Sequence, residues 1–348
     1  MKKALLLISI IFVSISVKSQ SAETLYDSTL TVLEGMIEDR TPIDFKNAVY
    51  MVENSFYEGK LSYKKFCEAI NYYKHLCEGL INARDLKYNE SDKEEVSVYA
   101  AVFSVMKDTI PIEVEKGKII YNLPLTYDFE DITGEKDWTK MFVSKLLTTY
   151  KGNCHSLPYL YKILVEELGG NAYLAYAPNH IYIKQHSKAF GWYNTELTSG
   201  MFPIDSWLMA SGYIHLSAIQ KGIYMDTLNA KQSIGTCMLD LAMGYQKKFG
   251  TKDGSFILKV CNRVLKYHPN NINALLFKAE TKMNLWKQDN GKTKEQKQKE
   301  FEEIQKLYVQ IHQLGYRKMP TEMYLNWLVS LKEEKHKYQN QKINLKIK

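Results

Sequence analysis

Arginine and proline are scarce in this chain of 348 residues. Only four arginines occur, so lysine supplies almost all of the positive charge behind the net charge of +7. Arginine is the usual residue for paired hydrogen bonds to phosphates and bases, so the composition disfavours nucleic-acid binding. Eight prolines and 18 glycines, with 45% apolar residues, exclude collagen-like and mostly disordered chains. The length and apolar content allow two or three domains with a sizeable core.

Long hydrophobic runs are also rare, and the one at the N-terminus is short. Two lysines precede the apolar stretch Ala4–Val17, which is shorter than the ~20 residues that cross a bilayer as a helix. The small residues Val17 and Ser19 have the spacing of a cleavage site. We therefore predict that residues 1–19 are a secretory signal peptide and that the protein is exported, periplasmic or secreted, without stable membrane insertion after cleavage.

The five cysteines form no CxxC pair, and no Cys and His set has zinc-finger spacing. We therefore expect no metal and no cofactor. An odd number leaves at least one thiol unpaired within a monomer. Cys67 and Cys77 lie on one predicted helix, ~15 Å apart at 1.5 Å per residue, which is too far for a disulfide. Cys237 and Cys261 can pair across neighbouring helices or remain buried thiols.

Changes in periodicity divide the remaining chain into segments. Apolar residues at intervals of three and four predict helices in an N-terminal region, 20–95. The middle segment, 96–225, combines predicted helices with strands and indicates an α+β fold. Its predicted strands and helices are 96–105 and 118–121 (strands), 138–149 and 157–168 (helices), and 172–177, 180–184 and 190–196 (strands).

The third segment, 226–340, is again helical, and a basic tail, 341–348, follows it. Two predicted helices, Phe256–Tyr267 and Ala274–Leu285, flank a Pro-Asn-Asn turn that resembles a tetratricopeptide repeat junction. A polar loop predicted at 287–299 interrupts the next repeat. We interpret the segment as a degenerate helical-repeat domain, with a plain helical bundle as the alternative.

Cys154 has the features of a reactive thiol. It follows a Gly-Asn turn at the predicted start of a helix, and Pro158 fixes that boundary because proline is tolerated only near a helix start. The positive end of the helix dipole lowers the pKa of a thiol there, and the thiolate is the nucleophile. The sequence therefore offers Cys154 as a candidate catalytic residue.

Two further residues follow Cys154 in an order that suits acyl-transfer chemistry. His180 begins a predicted strand, and an imidazole near the thiol would activate it and later protonate a leaving amine. Glu196 lies on the next strand, where its carboxylate would fix the tautomer of the imidazole. Asn194 shares a strand face with Glu196 and is the rival for this third position.

Other histidines fit less well. His155 is next to Cys154 on the helix and is expected to point elsewhere, whereas His186 is expected in a solvated polar turn. A metal site built from Cys154, His180 and His186 matches no known ligand spacing.

The stretches Gly152-Asn153-Cys154 through Leu168-Gly169, Pro178-Asn179-His180-Ile181-Tyr182-Ile183 and Trp192-Tyr193-Asn194-Thr195-Glu196 resemble the transglutaminase-like branch of papain-fold proteins. The similarity is to a compact bacterial subgroup in which tetratricopeptide repeats often follow the domain. It implies a transglutaminase-like domain at 96–225 and cysteine-dependent hydrolysis or acyl transfer on peptide or protein amides. It further implies Cys154 as nucleophile, His180 as acid and base, and Glu196 as orienting group.

The sequence departs from that family in three respects. The acid is commonly Asp rather than Glu, and the gap between Cys154 and His180 is short for a cross-linking enzyme. No oxyanion-hole residue is evident, although Trp138, Tyr121 and Asn122 are candidates. Three hypotheses follow: an enzyme with a peptide or protein substrate, an inactive scaffold that binds a protein partner through its helical repeats, or, from export and cysteine chemistry alone, an enzyme that processes cell-wall peptides.

Overall fold

The computed structural model describes residues 22–333, so the predicted signal peptide at 1–19 and the basic tail at 341–348 lie outside the described residues. The described chain is a mixed α+β protein dominated by helices. The first four helices are α1 (22–37), α2 (Phe45–Phe56), α3 (Tyr63–Ala83) and α4 (Lys93–Lys107).

The strand predicted at 96–105 is wrong, because these residues belong to α4. A run of valines and aromatics favours a strand by composition. In the structure, however, Val96, Tyr99 and Val102 recur at helical spacing, and residues 101–106 are all buried. A helix buried on most of its surface loses the polar face that would have identified it.

The middle of the chain contains the strands. A hairpin of β1 (Ile110–Glu115) and β2 (Lys118–Asn122) is followed by the short parallel pair β3 (Thr126–Tyr127) and β4 (Lys151–Gly152). An antiparallel sheet then has the strand order β7-β6-β5-β8. Its strands are β5 (Tyr173–Ala177), β6 (His180–Ser187), β7 (Gly191–Thr195) and β8 (Thr227–Leu228).

The helices of this middle region place the sheet and the turn before it. The helix predicted at 138–149 is split into a 3₁₀ helix, Trp138–Met141, and α5 (Val143–Thr149), because Phe142 between them has extended backbone. Next come α6 (Ser156–Glu167), α7 (Asp205–Ser211) and α8 (Leu216–Gln220). The predicted helix at 157–168 corresponds to α6.

The C-terminal part consists of helices, listed in order as α9 (Ala230–Phe249), α10 (Ser255–Tyr267), α11 (Ile272–Gln288), α12 (Lys294–Gln313) and α13 (Thr321–Glu333). The polar loop predicted at 287–299 shrinks to residues 289–293, because Thr293 and Gln296 form a capping box that starts α12 early. Cys237 on α9 and Cys261 on α10 are buried free thiols.

Residues from all three predicted segments share one hydrophobic core. Helix α2 packs against α9, and its buried Glu53 accepts hydrogen bonds from the backbone N–H groups of Val143 and Ser144, at 2.6 and 2.9 Å. A carboxylate from the N-terminal region thus caps α5. Within residues 22–333, every helix is too short or too polar to cross a membrane.

Candidate active site

Asn153 fixes the turn that carries Cys154. Its side-chain oxygen accepts the backbone N–H groups of His155 and Ser156, at 3.0 and 3.1 Å, and its amide donates to the Ile132 carbonyl. Gly152 is required before it, since a Cβ there would lie 2.8 Å from the Ser156 hydroxyl. The Gly-Asn pair therefore holds Cys154 two residues before α6 begins.

Adjacent strands bring His180 and Glu196 together. His180 begins β6, and Glu196 follows β7 directly, in a bridge with Met201. The Nε2 atom of His180 lies 2.5 Å from Oε2 of Glu196, and the two side chains are 0% and 1% exposed. The other carboxylate oxygen of Glu196 accepts the backbone N–H of Thr198 at 2.7 Å. Both carboxylate oxygens are therefore engaged, and the imidazole is held in one orientation.

The charges of the three groups depend on one another. Burial lowers the pKa of His180, but the Glu196 carboxylate and the Cys154 thiol outweigh it and raise that pKa to about 10. Burial would raise the pKa of Cys154, yet hydrogen bonding to His180 and its charge lower it. The Glu196 pKa is lowered by His180 against the effect of burial. These directions favour a thiolate–imidazolium pair.

With Nε2 held by Glu196, Nδ1 is the ring nitrogen left for the thiol. It makes no hydrogen bond to any of the described residues in this structure. A proton on Nδ1 can therefore pass between the imidazole and Cys154 or a group bound to it. The arrangement has the order of nucleophile, base and orienting acid that acyl-transfer sites use.

Helix α13 covers this pair. The Tyr324 hydroxyl lies 3.3 Å from the Cys154 sulfur, and the Trp327 ring stands edge-on to the His180 ring with centroids 4.6 Å apart. The Trp327 indole N–H donates to the Ser211 hydroxyl at 2.9 Å. Both aromatic residues are buried, so the site is closed in this structure.

A groove opens on another side of the site. Its volume is about 320 Å³, and it is lined by Lys107, Pro124, Leu125, Thr126, Tyr127, Phe129, Thr198 and Ser199. Tyr127 is also close to Cys154, and burial together with the nearby thiol raises the pKa of its phenol. Thr198 belongs to the turn that holds Glu196. The groove therefore adjoins the site through Tyr127 and Thr198.

The structure assigns the alternates from the sequence to other roles. The Asn194 amide donates to the Pro203 carbonyl and to Asp205, at 3.0 and 2.7 Å, so Glu196 rather than Asn194 pairs with the imidazole. Trp138 lines a small cavity with His155, under the Lys247 ammonium.

The remaining candidates from the sequence, two for the oxyanion hole and two other histidines, also lie apart from the His180–Glu196 pair. The Tyr121 side chain is 61% exposed, and the Asn122 amide is bound to the Val105 carbonyl. His155 points away from Cys154 as expected, toward Asp240 and the Met141 carbonyl. His186 is exposed as expected, but it lies within β6, beside Trp192, rather than in a turn.

Sequence reasoning missed Tyr127, Tyr324 and Trp327. Tyr324 and Trp327 share a helix face by their spacing of three, which is the only signal that an aromatic pair faces a common surface. Nothing in the spacing identifies that surface as the site 170 residues earlier in the chain.

The residues from 22 to 333 contain no group of three or more side chains able to hold a metal ion. The site itself is a buried Cys154–His180–Glu196 arrangement with an adjoining groove. Compared with known proteins, the chain matches no family model, no curated protein and no solved structure.

Proposed function

We propose that this protein is an exported, transglutaminase-like cysteine enzyme that hydrolyses or transfers acyl groups of peptide or protein amides. One observation carries the proposal: the imidazole of His180 is held by Glu196 through Nε2, at 2.5 Å, while its other nitrogen is left for Cys154. The middle α+β region is then a transglutaminase-like domain, and the C-terminal helices are a degenerate tetratricopeptide-like domain.

The reaction uses only the groups of the site and the substrates. The Cys154 thiolate attacks the carbonyl carbon of the amide, and the C–N bond breaks as His180 gives its proton to the leaving amine. Water or an amine then attacks the thioester while His180 removes its proton, and the Cys154 thiolate leaves. Glu196 stabilises the imidazolium in both steps.

The adjoining groove suits a peptide segment. Its lining is mainly apolar, with Phe129 56% exposed and its ring tilted against that of Tyr127, with centroids 4.7 Å apart. An exposed aromatic surface next to a nucleophile is a suitable place for a side chain of the acyl donor. The Tyr324 hydroxyl contacts the Cys154 sulfur directly. Helix α13 must therefore move before the carbonyl carbon of a substrate reaches Cys154.

The test is the pH dependence of Cys154 alkylation, read by peptide mass spectrometry in the wild type and in His180→Ala. An ordinary thiol titrates near 8.5. We expect wild-type labelling to have its midpoint well below that value and to shift upward when His180 is removed. Cys67, the least buried cysteine, is the internal control and should label identically in both proteins. An ordinary midpoint that ignores His180 contradicts the proposal.

The alternative is an inactive scaffold that binds a protein partner through its helical repeats. The closed site favours it, because the His180 side chain is 0% exposed beneath α13. Cys154→Ala separates the two hypotheses. An enzyme loses turnover at unchanged thermal stability, whereas a scaffold still binds its protein partner in that variant.

A further inference from the structure

A second buried histidine follows the nucleophile directly in the sequence, with its ring turned toward Met141 and Asp240. The His155 side chain is 12% exposed, and its Nε2 atom lies 3.0 Å from Oδ1 of Asp240, whose side chain is 10% exposed. Its Nδ1 atom lies 2.9 Å from the Met141 carbonyl oxygen. Both ring nitrogens therefore face atoms that only accept hydrogen bonds.

Opposite the Asp240 carboxylate, this geometry favours a charged ring. A neutral imidazole carries one N–H and would leave a lone pair facing one of the two acceptors, whereas an imidazolium donates to both. Asp240 is in turn fixed by the Tyr159 hydroxyl, at 2.7 Å from its other oxygen. The Tyr159 and His155 rings also pack together, with centroids 4.1 Å apart.

We infer that His155 is a fixed imidazolium, and that it acts as a positioning residue that stabilises the Cys154 thiolate independently of His180. The inference rests on the proposed function, since a stabilised thiolate matters only if Cys154 is the nucleophile. It assigns the two histidines different tasks: His180 moves protons, and His155 supplies a constant charge.

The surroundings of His155 support a retained charge. The titratable groups that face it are Glu53 from α2, Asp240 and Cys237 from α9, and Cys154 and Tyr159 beside it along the chain. Among the described residues that line the adjoining cavity there is no lysine or arginine. Burial lowers the pKa of His155, but Asp240 outweighs it and the pKa is raised. The charge of His155 also contributes to the lowered pKa of Cys154.

A constant charge has a use in the proposed reaction. When His180 has given its proton to the leaving amine, it is neutral and no longer stabilises a negative sulfur. A second cation next to Cys154 keeps the thiolate a good leaving group when water or an amine attacks the thioester. Asp240 and the Met141 carbonyl keep that proton from exchanging with the substrate, because both N–H groups are occupied.

Two measurements test the inference. In protein labelled with ¹⁵N at histidine, both ring nitrogens of His155 should have the chemical shifts of an imidazolium at pH 8. An ordinary histidine, with a pKa near 6.5, is neutral at that pH. In alkylation experiments, His155→Gln should raise the labelling midpoint of Cys154 by about one pH unit, which slows labelling about tenfold at pH 6.5. We expect His155→Gln to raise the Cys154 midpoint by the same amount when it is added to the His180→Ala variant.

The control is His75→Gln, the same substitution at an exposed histidine on α3, which should leave the profile unchanged. Neutral ring shifts at pH 8, or an unchanged midpoint in a folded His155→Gln protein, overturn the inference. If His155→Gln does not fold, Asp240→Asn takes its place, and the His155 ring should then titrate near neutral pH.

The two proposals fail in different ways. If His180→Ala leaves the Cys154 midpoint unchanged while His155→Gln raises it, the proposed acid–base role of His180 is wrong and His155 alone activates the thiol. If only His180→Ala changes the midpoint, the proposed function stands and the inference about His155 is rejected.

Discussion

At the scale of single residues, the Glu196 carboxylate decides the charge of the imidazole that it holds. It lies 2.5 Å from His180 in a site with almost no solvent, where a carboxylate interacts far more strongly than in water. Asn194, two residues earlier and within β7, instead donates a hydrogen bond to the Pro203 carbonyl. The two side chains therefore have separable effects.

Glu196→Gln keeps the shape of the side chain and removes its charge. Without the carboxylate, the pKa of His180 falls, less imidazolium is present and the thiolate loses its counter-ion. We expect the alkylation midpoint of Cys154 to move up toward 8.5 and labelling at pH 6 to slow about tenfold or more. Turnover should fall in parallel.

The matched control is Asn194→Ala. It should lower Tm through the lost hydrogen bonds and leave the alkylation profile in place. A profile that responds to Asn194→Ala and ignores Glu196→Gln would show that Asn194, not Glu196, orients the imidazole.

At the scale of elements, α13 decides whether the site is accessible. It contributes two buried aromatic residues: Tyr324 contacts the sulfur of Cys154, and Trp327 contacts the imidazole of His180. Two side-chain hydrogen bonds tie it to the rest of the described chain, one between Tyr324 and Cys154 and one from Trp327 to Ser211. A helix held by a few side chains at the end of a fold opens at a lower free energy than core elements do.

A chain that ends after Pro320 should therefore alkylate faster at Cys154. We expect an increase of about tenfold or more at a fixed pH, because 1.4 kcal/mol of closing free energy corresponds to a factor of ten. The rate constant of labelling by iodoacetamide is the measurement, with Tm as a check of folding.

A chain that ends after Glu333 is the control for this truncation, since it retains all of α13. Its labelling should equal that of the full chain. Equal rates in both truncated proteins would mean that α13 does not restrict access to the thiol.

At the scale of the whole molecule, Glu53 connects the N-terminal helices to the region that precedes Cys154. Its buried carboxylate satisfies two backbone N–H groups at the start of α5. Those groups have no other described partner, and a buried unsatisfied N–H costs about 1–3 kcal/mol. A contact between elements 90 residues apart in sequence thus supports the local structure of the site.

Glu53→Ala should lower the free energy of unfolding by about 3 kcal/mol, measured by urea denaturation at pH 7. Lys231→Ala is the comparison, because it removes an exposed ion pair to Asp39 between α9 and the end of α1. We expect that change to cost less than about 1 kcal/mol. Similar losses in both variants would contradict the role given to Glu53.

Much of the fold was predictable from local pattern. The stripe from Leu157 to Leu168 predicted α6, the alternating runs after it predicted the three strands, and the Pro-Asn-Asn turn predicted the α10–α11 junction. The prediction failed at 96–105, where burial of most of the helix surface removed the helical signature, and at 287–299, where a capping box began α12 within a polar run. In both places, the interactions that determine the secondary structure leave no trace in the periodicity of the sequence.

The sequence by itself determined the chemistry that each residue brings: a thiol at a helix start after Gly-Asn, an imidazole that begins one strand, and an acid at the end of the next. These are local features, set by turn geometry and by strand period. Only the tertiary structure decided that Glu196 rather than Asn194 meets His180, that His155 is enclosed by Asp240 and Met141, and that α13 covers the thiol. Each depends on distances between segments far apart in sequence, which are fixed only when the common core is packed.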